Sequence, residues 1–220
     1  MSLDFERRGP ENPDRLVIFV HGYGANGADL IGLADPLMEH MPGTAFLSPD
    51  APERSAMNPM GFQWFPIPWL DGSSEEAATE GMERAVADLD AFLDEALARE
   101  GVAPRDTILF GFSQGTMMSL HVGPRRAEPF GGIVGFSGRL LAPERLADEA
   151  VTKPPVLLVH GDADEVVPVQ HLPEAMEALE AAGWDKLYAH VMKGTGHGIA
   201  PDGLSVALAF MRDVLGIDAD

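Results

Sequence analysis

Six short apolar runs recur along the chain, each bounded by glycine, proline or charged residues: RLVIFVHG at 15–22, TAFLSP at 44–49, DTILFGFS at 106–113, GGIVGFS at 131–137, PVLLVHGD at 155–162 and KLYAHVM at 186–192. Runs of this length between turn-forming residues predict strands. Several are almost continuously apolar instead of alternating, the pattern of parallel strands covered on both faces. Between them the spacing changes to that of a helix. Ser73 and Glu76 form a capping-box pattern, and Met82, Val86, Leu89, Phe92, Leu93 and Leu97 follow at intervals of three and four to about Glu100. A shorter stripe runs through Leu172, Ala175, Met176 and Leu179, and another from Leu204 to Leu215. Strands alternating with helices predict a doubly wound α/β sheet, three layers deep and mostly parallel. In such sheets chemistry gathers at the carboxyl ends of the strands. One stretch fits neither period. MNPMGFQWFPIPWL at 57–70 is apolar and proline-rich, and it reads as an irregular loop offering a binding surface.

Composition narrows this picture without redirecting it. A chain of 220 residues fits one domain, 1–220, with no repeat, low-complexity tract or Gly/Ser linker to divide it. Asp and Glu number 35 against 15 Lys and Arg, a formal charge of −20. Such a surface repels nucleic acid and anionic membranes. With no cysteine, disulfides, thiol catalysis and cysteine-ligated zinc drop out. The opening MSLDFERRGPENPDR lacks the apolar core of a secretory signal, and no apolar run approaches membrane-spanning length. A cytoplasmic protein without stable membrane insertion is the expectation.

Four polar, glycine-containing segments follow strand candidates and are expected on one edge of the sheet: HGYGANG, GFSQG, HGDADEVVP and GTGHGI. GFSQG at 111–115 has the G-x-S-x-G form of a nucleophile elbow, in which glycines make room for a serine on a sharp strand-to-helix turn. A serine hydroxyl needs a base, and the base an orienting acid, in the chain order Ser, Asp or Glu, His on this fold. His197, fenced by glycines after the last strand, is the expected base. His171 begins a helix and His190 alternates within a strand, so both have structural explanations. The candidate acids are Asp162, Asp164 and Glu165; the two aspartates follow His160-Gly161 at a strand end and are not separated by spacing. His21 and His160 precede glycines at strand ends and read as structural groups that satisfy loop backbone. An oxyanion needs preorganised N–H donors, and the amides of Tyr23, in the HGYG loop, and Gln114, after the serine, are expected to supply them. HGYGANG lacks the lysine of a Walker loop and the dinucleotide fingerprint spacing, and no HExxH-type cluster suggests a metal hydrolase.

Taken in order, VIFVHGYGANGADL, LSPDAP, QWFPI, GFSQG, HGDADEVVP and GTGHGI run almost end to end and resemble the phospholipase/carboxylesterase family of α/β-hydrolases. The resemblance implies an α/β-hydrolase fold with no separate lid domain. Its H-G-x-x-D-x-x-V-P pattern selects Asp164 as the triad acid, with Ser113 as nucleophile and His197 as base, and leaves Asp162 as a turn residue. Trp64, Phe65 and Ile67, with Val166, are expected to line the acyl side of the pocket. Neither cofactor nor metal is implied. The function implied is a serine carboxylesterase acting on small ester substrates through an acyl-enzyme, the alternative being acyl-protein thioesterase or lysophospholipase activity at the same site. Ala25, Pro66 and Thr116 stand where thioesterase members usually have Asp, Asp and Gly, which points to the bacterial carboxylesterase branch. Homodimers are common in the resembled family, although no residue here requires one. The rival from another class, a binding protein on a hydrolase scaffold, predicts a broken triad or oxyanion loop, and neither is broken in the sequence.

Overall fold

The computed structural model describes residues 3–217. Its nine strands are β1 (Phe5–Arg8), β2 (Arg15–Val20), β3 (Thr44–Pro49), β4 (Glu53–Arg54), β5 (Phe62–Gln63), β6 (Thr107–Phe112), β7 (Gly132–Phe136), β8 (Val156–Gly161) and β9 (Leu187–Met192). The helices are α1 (Gly27–Ile31), α2 (Ala34–Met38), α3 (Pro68–Asp71), α4 (Glu75–Glu100), α5 (Gln114–Val122), α6 (Leu146–Glu149), α7 (His171–Ala181) and α8 (Pro201–Val214). Seven strands form one sheet in the order β1-β3-β2-β6-β7-β8-β9, parallel throughout except for β1.

Side-chain alternation along the buried strands produces the three layers. Leu16, Ile18 and Val20 of β2 join one core with Leu89, Phe92 and Leu93 of α4 and with Leu172 and Leu179 of α7. Val17 and Phe19 join the other with α1, α2 and α8, through Leu30, Leu37 and Phe210. Strands buried on both faces therefore carry apolar residues at every position, which is why the runs do not alternate. This is the α/β-hydrolase architecture. All six expected sheet strands are present. The β1 strand was not expected, because FERR is charged; it pairs antiparallel with β3 at the sheet edge, Phe5 opposite Pro49, where one face stays wet.

Two local expectations are corrected. Ser74, not Ser73, caps α4: its hydroxyl accepts from the Ala77 amide at 3.1 Å. The Ser73 amide instead donates to Asp71 Oδ1 at 2.9 Å, so the chain is still turning there. The deepest α4 positions are Gly81, Ala85, Leu89, Phe92, Leu93 and Ala96, while Met82, Val86 and Leu97 are only partly buried. Small residues occupy the line of closest approach: a Cβ on Gly81 would lie 2.6 Å from Pro66 Cδ. The segment 57–70 is likewise not irregular throughout. Phe62 and Gln63 pair with Glu53 and Arg54 as a small antiparallel ladder, and Pro68–Asp71 forms a short helix.

Helix α5 is buried along its whole length, and it carries a histidine. Burial first, then the Arg125 charge, lowers the His121 pKa to about 4, and its Nδ1 is buried without a hydrogen-bond partner. A histidine kept neutral in the native state but free to protonate in the unfolded chain destabilises the fold on acidification. The loss begins near the unfolded value of about 6.5 and is complete near the native one, up to about 3 kcal/mol. His121→Leu is expected to remove that part of the decline, so that urea titrations of the two proteins diverge between pH 6.5 and about 4.

Candidate active site

The sharp turn between β6 and α5 explains why Ser113 is fenced by glycines. Ser113 has φ 53° and ψ −115°, a backbone region that costs a non-glycine residue about 1–3 kcal/mol. The strain is held by the Ser113 amide, which donates to Phe136 O at 2.8 Å, and by the amides of Thr116 and Met117, which donate back to Ser113 O. A Cβ on Gly115 would sit 1.8 Å from Val20 O, and one on Gly111 would sit 2.5 Å from the Thr116 amide nitrogen. Only glycine fits at either place. Thr116, one of the departures from the usual thioesterase pattern, donates its hydroxyl to Phe136 O at 2.8 Å. Its methyl occupies space that a Cβ on Gly135 would invade at 2.5 Å.

Asp164 and His197 meet across the loops after β8 and β9. His197 Nδ1 lies 2.8 Å from Asp164 Oδ2, and the His197 ring packs on Phe112, centroids 5.0 Å apart, beside the serine. The other carboxylate oxygen accepts the amides of Val166 and Val167, both at 2.9 Å. Burial opposes charge on this fully enclosed carboxylate, but the His197 bond, the Val167 amide, the His197 charge and the Val166 amide together outweigh it and hold its pKa below the ordinary value. Asp162 does what a turn residue does: Oδ1 accepts the Gly194 amide at 2.6 Å, tying the two loops together.

The two buried histidines at strand ends have backbone partners. His21 Nε2 accepts the Ala51 amide at 3.0 Å, which leaves Nδ1 as the donor to Gly22 O at 2.7 Å. His160 Nε2 donates to Val167 O at 2.8 Å and lies 3.4 Å from Asp164 Oδ2. Burial lowers both pKa values, so both rings stay neutral. His171 and His190 pair with Glu174 and Asp202 at 2.8 and 2.9 Å. No group of three or more His, Asp or Glu among the described residues is placed to hold a metal ion.

The loop after β2 lies against the elbow, and a Cβ on Gly22 would be 3.2 Å from Ser113 Cβ. Gly24 and Ala25 donate their amides to Phe62 O and Gly22 O, whereas among the described residues no backbone carbonyl takes the amide of Tyr23 or Gln114. The Tyr23 hydroxyl donates to Asp71 Oδ2 at 3.1 Å, and the same oxygen accepts the Ile67 amide at 2.8 Å. The Gln114 side chain reaches the same segment: Oε1 accepts the Trp64 amide at 2.9 Å and Nε2 donates to Phe65 O at 2.7 Å. Sequence reasoning assigned Gln114 only a backbone role, and nothing local signals this clamp.

The four residues expected to line the pocket do not share one cavity. Val166 lines a groove of about 250 Å³ with Trp69, Met117, Val167 and Pro168. Trp64, Phe65 and Ile67 do not line it. Trp64 is fully buried and donates its indole N–H to His21 O at 2.9 Å, so it supports the loop from beneath. An apolar, proline-rich composition cannot distinguish these two uses of a tryptophan. Trp64→Ala is expected to cost about 3–5 kcal/mol of stability, read as a drop in the urea midpoint. A larger hollow of about 790 Å³ lies near the amino end of β6, where Arg126 is already paired with Asp90 and Asp94.

Residues 7–215 match the family described as Phospholipase/Carboxylesterase. The chain is 30% identical to acyl-protein thioesterase 1 of Gibberella zeae, an alignment covering 90% of each. It is 28% identical to esterase YpfH of Escherichia coli K12, covering 94% of this chain and 87% of that one. Among solved structures it is similar to esterase PE8, with a TM-score of 0.91 and 43% identity over 98% of this chain and 100% of the other.

Proposed function

The chain belongs to the phospholipase/carboxylesterase family of hydrolases, and from that premise we propose that it is a serine carboxylesterase acting on short esters. The observation that carries the reading is the Asp164–His197 hydrogen bond of 2.8 Å at the same sheet edge as a serine held at φ 53°. Ser113 Oγ attacks the ester carbonyl while His197 Nε2 takes its proton. Asp164 keeps the remaining imidazole proton on Nδ1 and offsets the imidazolium charge. The tetrahedral oxyanion receives the amides of Tyr23 and Gln114. His197 returns the proton to the departing alcohol, and an acyl-enzyme forms on Ser113. A water, deprotonated by His197, attacks that ester in turn; collapse frees the acid and restores the serine.

Two observations favour short carboxylic esters. The groove of about 250 Å³ is smaller than the roughly 300–1,000 Å³ usual for drug-sized ligands, and the 43% identity to an esterase extends over almost the whole chain. Thioester cleavage by the same groups is the second reading, favoured by the relatives named acyl-protein thioesterases. No helix among the described residues is long and apolar enough to cross a membrane, and substrate is taken to reach the site from water. The test is a p-nitrophenyl ester series from acetate to palmitate beside a palmitoyl thioester. Higher kcat/KM on the two- to six-carbon esters supports the carboxylesterase; a preference for the thioester replaces it with the second reading.

A further inference from the structure

Arg139 is a cation without a counter-ion in a strongly acidic protein. The chain has 35 Asp and Glu against 15 Lys and Arg, and other arginines are paired: Arg125 and Arg145 with Glu149, Arg126 with Asp90 and Asp94. Among the described residues no carboxylate forms an ion pair with Arg139, and its Nε is buried without a hydrogen-bond partner. The guanidinium carbon lies 5.0 Å from the centroid of the Trp69 ring. Such stacking fixes the plane of the fork without satisfying its N–H donors.

The position of this fork relative to Ser113 gives it meaning. Arg139 lines the same groove of about 250 Å³ as Trp69, Met117, Val166 and Pro168. The groove lies next to the elbow: the amide of Met117, one of its lining residues, donates to Ser113 O at 3.2 Å, and a Cβ on Gly138, the residue before Arg139, would be 3.0 Å from the same oxygen. Its other wall holds the acid, since Val166 and Val167 donate their amides to Asp164. A substrate arm leaving the reacting carbonyl by this route would pass mostly apolar walls and meet the unpaired guanidinium donors; His171, which also lines the groove, is already paired with Glu174 at 2.8 Å.

We propose that Arg139 is a specificity-determining residue that binds an anionic group at the end of one substrate arm, so that the preferred esters have a short apolar segment ending in a carboxylate or a phosphate. The inference rests on the hydrolase reading above. Trp69, Met117, Val166 and Pro168 take the methylenes; the guanidinium takes the anion, whose planar or tetrahedral oxygens match its donors. On a surface with a net charge of −20, an anion gains nothing from the general field, so the discrimination depends on this one residue.

The test uses p-nitrophenyl esters of equal length: the half-ester of adipic acid, its neutral methyl ester, and an analogue ending in a phosphate monoester. Wild-type protein is expected to turn over at least one charged ester with kcat/KM about tenfold above the neutral one, carried mainly by KM, as one charge-assisted contact gives. Arg139→Gln should erase that ratio, chiefly by raising KM on the charged ester, and Arg139→Lys should retain part of it. Whichever anion shows the larger ratio identifies the source, dicarboxylate half-esters or phosphorylated lipids and alcohols. Equal rates on all three esters in the wild type, or a preference that survives Arg139→Gln, would overturn the proposal. Turnover of the neutral ester, lost in Ser113→Ala, tests the hydrolase reading separately.

Discussion

Ser113→Ala is expected to reduce kcat/KM on a short p-nitrophenyl ester by about 10⁶-fold, leaving only what the oxyanion amides and binding contribute. The substitution removes one oxygen and adds no strain, since alanine carries the same Cβ at φ 53° that serine already tolerates. The bonds that hold the turn, from the amide to Phe136 O and from the amides of Thr116 and Met117 to Ser113 O, use backbone atoms only. The fold is therefore expected to persist, with an unchanged thermal midpoint separating lost chemistry from lost structure. His197→Ala should fall by a similar factor, and the double variant no further, because nucleophile and base act in one proton transfer.

Asp164→Asn is the second large effect, about 10⁴-fold in kcat, and the local bonding says why. Oδ1 of Asp164 accepts two amides, from Val166 and Val167 at 2.9 Å each. An asparagine must keep its carbonyl oxygen there, which turns its NH₂ toward His197 Nδ1. That donor favours the tautomer with the proton on Nε2, the atom required to receive the Ser113 proton. The geometry survives and the base is lost. The same variant has a pH signature in stability. A carboxyl held below its usual pKa contributes stability that is complete above the unfolded value of about 3.9 and disappears as the pH falls through the lower native value. The stability gap between wild type and Asp164→Asn, measured by urea unfolding, should thus narrow as the pH falls below about 4.

Residues with special backbone demands were the ones legible in the sequence. Gly111 and Gly115 mark the elbow because any Cβ there meets backbone, and His197 sits in a glycine-fenced loop that the structure brings to Asp164 at 2.8 Å. Strands β2, β6 and β7 were legible because burial on both faces keeps their interiors apolar, whereas β9, at the sheet edge, is half-exposed and includes His190. What escaped depends on partners remote in the chain. Trp64 is inside, not on the groove wall, because His21 O waits for its indole N–H. Gln114 clamps Trp64 and Phe65 from 50 and 49 positions away. Arg139 is conspicuous only once its Nε is seen buried without a partner and its guanidinium over the Trp69 ring. The capping residue of α4 was missed by one place because Ser73 and Ser74 are adjacent and Asp71 holds the first of them in the turn.

The central claim is that an acyl group passes through Ser113. Mixing the protein with excess p-nitrophenyl acetate and quenching in acid within milliseconds should show, by intact mass, a single acetyl adduct, located by peptide mapping in the stretch that contains GFSQG. The account predicts a p-nitrophenol burst equal to the enzyme concentration and no adduct in Ser113→Ala. An adduct on another residue, or full turnover by Ser113→Ala, would contradict it.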